Sequence, residues 1–317
     1  NGSIKEDITK TNCQPDTLYI EMDEIHANLQ HGGNKICPCA IVHEGHLENF
    51  TKRKIVKNVR NFASAIHTYE ELWEVIYDYV DKRYDIDKFE SIFISGDGAS
   101  GIKNYQNCFP NAIFVLDKFH YRKALNYIFK HESTITSIAD EYLRNRMIDE
   151  FKLLVHVQME KYPNQKDFMK QKQNYLINNI DGIIEQHNEL YQCPCAMEGH
   201  VSQTYARYIT SSPFGFSLNG LNNKLKLLVY KANKHELTIE DYYSLKYGTD
   251  DYQIINDKIK KISNIKYDQN LSFNHSLDYN INVSLPIFDD NSINTDFKNL
   301  ISFNKDIPYI LNVNTSN

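Results

Sequence analysis

Residues 18–23 of the chain, LYIEMD, have the pattern of a β-strand that ends in carboxylates. Short polar turns separate this run from two further strand-like runs, residues 36–43 and residues 50–59. Glu44 and Gly45, which follow the second run, suit a tight turn. Three consecutive strands joined by short turns predict an antiparallel meander at the start of the fold.

A helix and two buried strands follow this meander. Residues 69–84 place apolar side chains at helical spacing, and the predicted buried face consists of Leu72, Val75, Ile76, Tyr79 and Val80. Residues 89–95 and 112–116 are short apolar runs typical of central parallel strands, and an acidic residue follows each of them. The order β-β-β-α-β-α-β, with acids at the ends of the first and fourth strands, predicts an α/β fold: a ribonuclease-H-like mixed five-stranded sheet with flanking helices.

A long helical stretch interrupts this core. From residue 118 to about residue 191 the apolar spacing is helical, and no strand-like run breaks it. It predicts an all-α insertion before the chain returns to the sheet. The predicted organisation is a linker over residues 1–16, the core over 17–120, the insertion over 121–192, a return to the core over 193–235, and a helical, then Asn-rich and loosely ordered region over 236–317.

The overall composition limits where in the cell the protein is expected and which partners it is expected to bind. The 317 residues include 35 basic and 41 acidic side chains, which give a formal net charge of −6. No apolar run approaches the roughly 18 residues that cross a bilayer, and no signal peptide opens the chain. We therefore expect a cytoplasmic protein without a membrane partner. Read only as a total, the acidic surplus argues against nucleic acid.

Six cysteines include two Cys-Pro-Cys pairs, at residues 37–39 and 193–195. Zinc sites more often use two intervening residues, because a single one makes chelation by both sulfurs awkward. Reduced, partly buried thiols beside strand or helix ends are the simpler interpretation, and a structural zinc site is the alternative.

Three acids lie where one predicted element passes to the next: Asp23, Asp97 and Glu198. Carboxylates on adjacent parallel strands converge, and the repulsion between them favours a shared Mg²⁺ or Mn²⁺. The glycines on both sides of Asp97 allow a sharp turn and a close approach to a ligand. Each acid taken alone could instead be a turn former or a helix cap.

Five linked segments resemble one family of bacterial proteins in order and approximate spacing. They are YIEMDEIH (19–26) with LQ (29–30), SGDGA (95–99) with IK (102–103), FPNA (109–112), LDKFHY (116–121) and EGHVS (198–202). In these segments the chain resembles the ISLre-two insertion-sequence transposases, which are similar to the Mutator-type superfamily. The resemblance runs from about residue 17 to residue 235.

The resemblance implies a DDE transposase: a ribonuclease-H-like catalytic domain with a helical insertion before its final glutamate. Two divalent ions, Mg²⁺ or Mn²⁺, would serve strand cleavage and joining. Asp23, Asp97 and Glu198 would be the catalytic and metal-binding acids. The implied partners are double-stranded DNA and further copies of the chain, in association with the nucleoid. Because the chain begins at Asn1 without Met, we expect the region that reads the DNA ends to lie upstream.

Four further residues could support this site. Asp117 and His120 match the family's Leu-Asp-x-Phe-His segment, where Asp117 either assists catalysis or caps the next helix and His120 either orients a phosphate or is structural. His26 and His200 lie near the acids in sequence, and each could be a surface residue instead. The chain departs from the family at four positions around the site: Gly101, Gln203, Ser212 and Phe216.

Basic residues gather on segments that border the proposed site. The predicted DNA-binding residues are Lys52, Arg53, Lys54, Lys118, Arg122 and Lys123. They resemble stripes that follow phosphates, although exposed lysines are also commonly just solvated faces.

Three other functions compete with the transposase interpretation. One is a ribonuclease-H-like nuclease that hydrolyses DNA without strand transfer, and another is a decayed copy that binds DNA without catalysis. A haloacid-dehalogenase-type phosphatase is discounted, because that class needs a nucleophilic aspartate two residues before the position of Asp23, where this chain has Glu21.

Overall fold

The first two strands form a long antiparallel hairpin in the computed structural model, which describes residues 8–47, 55–210 and 215–233. β1 (Thr17–Asn28) pairs with β2 (Asn34–His43) from end to end of the hairpin. β1 extends beyond the predicted run because β2 supplies hydrogen-bond partners for its polar second half, past the point where its other neighbour ends.

Three further strands complete the sheet: β5 (Arg60–Ala63), β6 (Ser91–Gly96) and β7 (Ala112–Leu116). The strand order is β5-β2-β1-β6-β7. β2 is antiparallel to both of its neighbours, whereas β6 is parallel to both β1 and β7. The predicted mixed, five-stranded α/β sheet is confirmed.

The third strand of the sheet lies later in the chain than predicted. Residues 50–54 of the predicted run lie outside the described residues. The pair Ile55–Val56 (β4) joins His46–Leu47 (β3) in a separate two-stranded sheet. Asn58 then adopts a φ of 50°, and this turn lets the sheet strand begin only at Arg60.

Helix α1 (Tyr69–Arg83) begins at the predicted residue and ends one residue early. The Thr68 hydroxyl accepts from the Glu71 N–H at 3.2 Å, and the Glu71 carboxylate accepts from the Thr68 N–H at 2.7 Å, so the helix starts in a capping box. The prediction for Val75 is wrong, since it is 42% exposed and Trp73 is buried. The Trp73 indole donates to the Gly101 carbonyl at 3.0 Å, which turns this face of the helix inward.

Helices make up most of the described residues after β6. They are α2 (Ser100–Lys103), α3 (Lys118–Phe129), α4 (Ser133–Arg144), α5 (Ile148–Lys161), α6 (Lys166–Asn178), α7 (Ile180–Ile184), α8 (Met197–His200), a π-helical turn (Val201–Ala206), α9 (Arg207–Ile209) and α10 (Leu218–Ala232). As predicted, the described residues between 118 and 191 contain no strand. No described helix is both long and apolar enough to cross a membrane.

The predicted domain boundaries stay predictions. All the described residues fall within one compact unit, Asn1–Ile259. The linker residues 1–7 and the whole of the predicted C-terminal region, 236–317, lie outside the described residues.

The two faces of the sheet have different roles. In β1, Leu18, Ile20 and Met22 belong to the main core, which also holds buried side chains of the helices α1 to α7. The alternate side chains point to the opposite face, where Tyr19 packs in a small cluster with Cys193. The period of two in a strand thus separates a hydrophobic core from a second face that bears acids.

We predict opposite results for two helical Gly→Ala substitutions. At Gly182 in α7 an added Cβ would lie 2.8 Å from the Phe114 ring and 2.9 Å from the Leu116 backbone nitrogen, whereas at Gly199 in α8 nothing lies within 4 Å. Gly182→Ala should lower the free energy of unfolding by about 1–3 kcal/mol through overpacking. Gly199→Ala should raise it by up to about 1 kcal/mol through helix propensity. Urea unfolding measures both, and equal stabilities would contradict the close packing of α7 on β7.

Candidate active site

Three aspartates lie just beyond the ladders that join the parallel strands. The β1–β6 ladder ends two residues before Asp23 and Asp97, so its register, continued by two residues, brings them opposite each other, and Asp23 itself lies within β1. The β6–β7 ladder ends one residue before Asp97 and Asp117, which are likewise opposite. Paired residues of neighbouring strands share a face of the sheet. We call Asp23, Asp97 and Asp117 the aspartate row.

The two glycines around Asp97 bring its loop close to the neighbouring backbone. A Cβ on Gly96 would lie 3.0 Å from the Met22 carbonyl oxygen of β1. Gly98 has a φ of +83°, and a Cβ there would lie 2.5 Å from the Asn179 amide. Side chains at either position would push the loop outward, as the flanking glycines predicted.

The charges of the site act together on Asp23. The pKa of Asp23 is raised from the ordinary 3.8 to about 6, chiefly by burial, and the negative charges of Glu198 and Asp97 contribute to the rise. The Glu24 backbone N–H, which donates to Asp23 Oδ1 at 2.8 Å, and the nearby His120 oppose this rise. Asp97 and Glu198, the other two predicted acids, therefore lie within electrostatic reach of Asp23.

Asp117 caps the helix that follows it, which is one of its two predicted roles, and it also bonds to His120. It is buried, and one carboxylate oxygen accepts the Phe119 N–H at 3.3 Å as the N-cap of α3. The other oxygen lies 2.8 Å from Nδ1 of His120. This hydrogen bond raises the pKa of His120, and the charges of Asp23 and Asp97 add to the effect, although burial opposes it. Asp117 therefore holds a partly buried, readily protonated imidazole beside the aspartate row.

The other two histidines lie apart from the row. The His26 side chain is 55% exposed and pairs with Glu24 at 3.7 Å. Burial lowers the pKa of His200, and the charges that act on it are those of Glu21 and His43. The structure thus brings Asp117 and His120 to the three acids, but places His26 and His200 in other surroundings.

The donor set suits a hard divalent cation. Asp23 and Asp97 each use one oxygen to accept a backbone N–H, from Glu24 at 2.8 Å and from Ala99 at 2.9 Å, and the other oxygen can serve a cation. In the part of the chain that the structure describes, no three His, Cys, Asp or Glu side chains already form a metal-binding group. Asp23, Asp97 and Glu198 therefore supply oxygen ligands that suit a divalent cation, but their side chains are not gathered into a metal-binding group in this structure.

Half of the predicted DNA-binding residues can be placed. Lys118 and Lys123 are exposed on α3, the helix that also carries His120, and Lys123 Nζ lies 5.5 Å from the centre of the Phe119 ring. Arg122 lies 3.7 Å from Asp140. Lys52, Arg53 and Lys54 lie outside the described residues.

Two tyrosines contact the site although the sequence did not single them out for it. The Tyr175 hydroxyl of α6 donates to the backbone carbonyl of Asp97 at 2.8 Å. The Tyr69 hydroxyl donates to Glu24 at 2.5 Å, and its ring takes the space beside Gly101, where an added Cβ would lie 2.6 Å from it. Tyr69 thus fills the volume at one departure from the family pattern.

Of the other three departures from the family pattern, two lie within the described residues. The backbone of Phe216 forms a parallel bridge with Leu29: the Phe216 carbonyl accepts from the Gln30 N–H at 3.0 Å, and the Phe216 N–H donates to the Asn28 carbonyl at 2.8 Å. Gln203 lies in the π-helical turn, and Ser212 lies outside the described residues.

A buried acid, Glu21, is the third residue that the sequence did not assign to the site. It is 1% exposed and accepts hydrogen bonds from His43 at 3.0 Å and from the Ala196 N–H at 2.7 Å. The sequence does carry one signal for this residue. Glu21 is an acid within an apolar strand, and it lies on the same face as Tyr19, which is buried, and Asp23, which belongs to the site.

All six cysteines are free thiols. Cys37 and Cys39 are buried within β2, where burial raises the pKa of Cys37 to about 11. Cys39 Sγ donates to the Asp23 carbonyl at 3.1 Å, and Cys193 Sγ lies 3.2 Å from His46 Nε2. These contacts agree with reduced, structural thiols.

We predict that Asp23→Asn stabilises the protein when divalent cations are chelated. Asn keeps the oxygen that accepts the Glu24 N–H but removes a charge whose pKa is raised to about 6. The charge costs almost nothing below about pH 3, where Asp23 is protonated in both states, the cost grows between about pH 4 and pH 6, and it is complete above about pH 7. The free energy of unfolding should therefore rise by about 1–2 kcal/mol at pH 8, and the difference from the wild type should shrink steadily as the pH falls from about 6 to about 4.

Thermal unfolding in EDTA measures this effect. Asp85→Asn is the control, because Asp85 lies at the surface in an ion pair with Lys88 and its pKa is lowered. A loss of stability in Asp23→Asn at pH 8 would contradict the electrostatic description of the site.

The sequence profile of the uncharacterised protein family UPF0236 matches residues 4–241. Two UPF0236 proteins of Caldanaerobacter subterraneus subsp. tengcongensis are each 29% identical to the chain, over 280 and 282 residues. Each alignment covers 86% of this chain and 59% of the relative, so the chain spans about three fifths of the relatives' length. The name of the first relative joins four locus designations, and that of the second joins eleven. Because the family profile matches well over half of the residues, the chain belongs to the uncharacterised protein family UPF0236.

Proposed function

We propose that the chain is the catalytic part of a DDE transposase, which cleaves and joins DNA strands at the ends of a bacterial insertion sequence. The observation that carries the proposal is the aspartate row at the ends of three parallel strands, with the charge of Glu198 acting on Asp23. Open α/β sheets bind their ligands outside the carboxyl ends of their strands, which is where this row lies.

The sheet supports a finer assignment of the fold, to the ribonuclease-H-like class. An antiparallel meander, β1-β2-β5, is extended on its other side by two parallel strands; one acid lies within the first strand, just past its parallel ladder, and an acid directly follows each of the two parallel strands. This is the arrangement that the sequence resemblance implies, with the helices α3 to α7 preceding Glu198.

Asp23, Asp97 and Glu198 are the residues that would hold two divalent cations, Mg²⁺ or Mn²⁺. Such ions activate the attacking oxygen and stabilise the leaving oxygen of a phosphodiester. Ions held there would offset the negative charges of Glu198 and Asp97, which add to the effect of burial in raising the pKa of Asp23.

The residues of α3 would hold the DNA beside these acids. His120, kept in place by Asp117 and readily protonated, can donate to a phosphate oxygen. Lys118 and Lys123 are exposed on the same helix and can neutralise neighbouring phosphates. A local basic surface of this kind reconciles the net charge of −6 with a DNA substrate.

The relatives supply independent support. A protein whose name joins eleven locus designations in one organism is encoded repeatedly, as expected for a mobile element. We extend this property to the present chain as part of the proposal, together with assembly of several copies on DNA in the cytoplasm, at the nucleoid.

The experiment is cleavage of the element's terminal-repeat DNA by the protein in its full natural length. We expect Mg²⁺-dependent strand cleavage and joining, which Asp97→Asn should lower by at least about 1,000-fold. Asp181→Asn is the matched control, since Asp181 is an exposed acid that pairs with Arg146 at 2.6 Å. Activity that survives Asp97→Asn would overturn the mechanism, and cleavage without joining would select the nuclease alternative.

A further inference from the structure

The segment that carries Glu198 is attached to the sheet through a buried acid. Glu21 Oε2 accepts the Ala196 N–H at 2.7 Å, two residues before Glu198. The Ala196 carbonyl in turn accepts the His200 N–H at 3.1 Å, which forms the turn of α8. Both backbone groups of Ala196 are therefore committed, one to Glu21 and the other to the helix that presents Glu198.

The other oxygen of Glu21 continues the chain of hydrogen bonds to β2. Oε1 lies 3.0 Å from Nε2 of His43, which is fully buried. His43 Nδ1 accepts the Gly45 N–H at 3.1 Å, so Nε2 carries the ring proton and donates to Glu21. Gly45, with a φ of +91°, directs its N–H to the ring.

This arrangement requires a carboxylate and not merely a polar side chain of the same size. Both Glu21 oxygens accept from N–H donors, and the Gly45 N–H prevents His43 from switching to the tautomer that would accept at Nε2. A glutamine would set its amide N–H₂ against one of these donors. Leaving a buried donor unpaired costs roughly 1–3 kcal/mol, and the loss would fall on the segment before Glu198.

A second contact of this segment lies on the strand next to Glu21. The β1–β6 register pairs Glu21 with Ser95, whose hydroxyl lies 3.2 Å from the Tyr191 hydroxyl. The Tyr191 hydroxyl accepts the Cys195 N–H at 3.1 Å, and the charge of Glu21 helps to raise the pKa of the buried Cys195 thiol, after the larger effect of burial. The residues that hold the segment thus lie directly below the aspartate row on the same face of the sheet.

We propose that Glu21 is a positioning residue, which sets Glu198 at the aspartate row by binding the Ala196 N–H while His43 fixes the orientation of its carboxylate. The inference rests on the proposed function, because Glu198 needs this position only if it shares cations with Asp23 and Asp97. This role is narrower than general stabilisation of the fold, because Glu21 controls the position of one proposed metal ligand, Glu198.

The test compares Glu21→Gln with Glu44→Gln in the full-length protein. Glu44 is a matched control because its carboxylate is also shielded and accepts from Tyr84 at 3.0 Å and Asn58 at 2.8 Å, but these contacts lead to α1 and the turn after β4. Mn²⁺ binding, followed by the electron paramagnetic resonance signal of the free ion, reports on the site without catalysis. Hydrogen exchange at the Ala196 amide reports on the attachment itself.

We expect Glu21→Gln to weaken Mn²⁺ binding by about 10–100-fold and to speed exchange at Ala196 by at least about 10-fold. Glu44→Gln should leave both unchanged, even if it lowers the melting temperature. Wild-type Mn²⁺ affinity in folded Glu21→Gln would overturn the inference. If that variant does not fold, the wild-type Ala196 amide decides: slow exchange supports the attachment, and exchange as fast as in an open loop overturns it. A wild-type protein that binds no Mn²⁺ would instead overturn the proposed function.

Discussion

Parallel pairing between β1 and β6 governs both the core and the candidate site. The register that sets Ile20 beside Ile94 in the core also sets Asp23 beside Asp97 on the opposite face. Because side chains alternate along a strand, a slip of one residue would exchange the two faces and bury the acids among hydrocarbon. Burial of the apolar face therefore holds together carboxylates that would otherwise move apart.

The candidate site is a place where the fold accepts a local cost. Asp23 loses hydration and faces other acids, which raises its pKa to about 6. Around it the backbone is constrained by Gly96 and Gly98 and supported from outside the sheet by the Tyr175 hydroxyl. Departures from ordinary burial and charge rules at one edge of an otherwise regular sheet are typical of a functional site. The well-packed core on the other face offsets their cost.

Local patterns in the sequence were sufficient for most of the framework. The apolar runs located β1, β2, β6 and β7, and the bounds of β7 and the start of α1 agree with the structure to the residue. The third strand was misplaced because Ile55–Val56 pair with β3 in a separate sheet, and the chain turns at Asn58 before the sheet strand β5 begins at Arg60. Val75 was misassigned because the Trp73 indole bonds across to Gly101, a contact that helical spacing does not encode.

The sequence by itself determined where four of the five strands of the sheet lie and that Asp97 and Asp117 follow strand ends, because hydrophobic alternation and glycine turns are local properties. Only the tertiary structure decided what those acids meet. The contact of Glu21 with Ala196 spans 175 residues, and that of Tyr175 with Asp97 spans 78. Such contacts depend on how the helices and the returning segment pack against the sheet, and no periodicity along the chain records that packing.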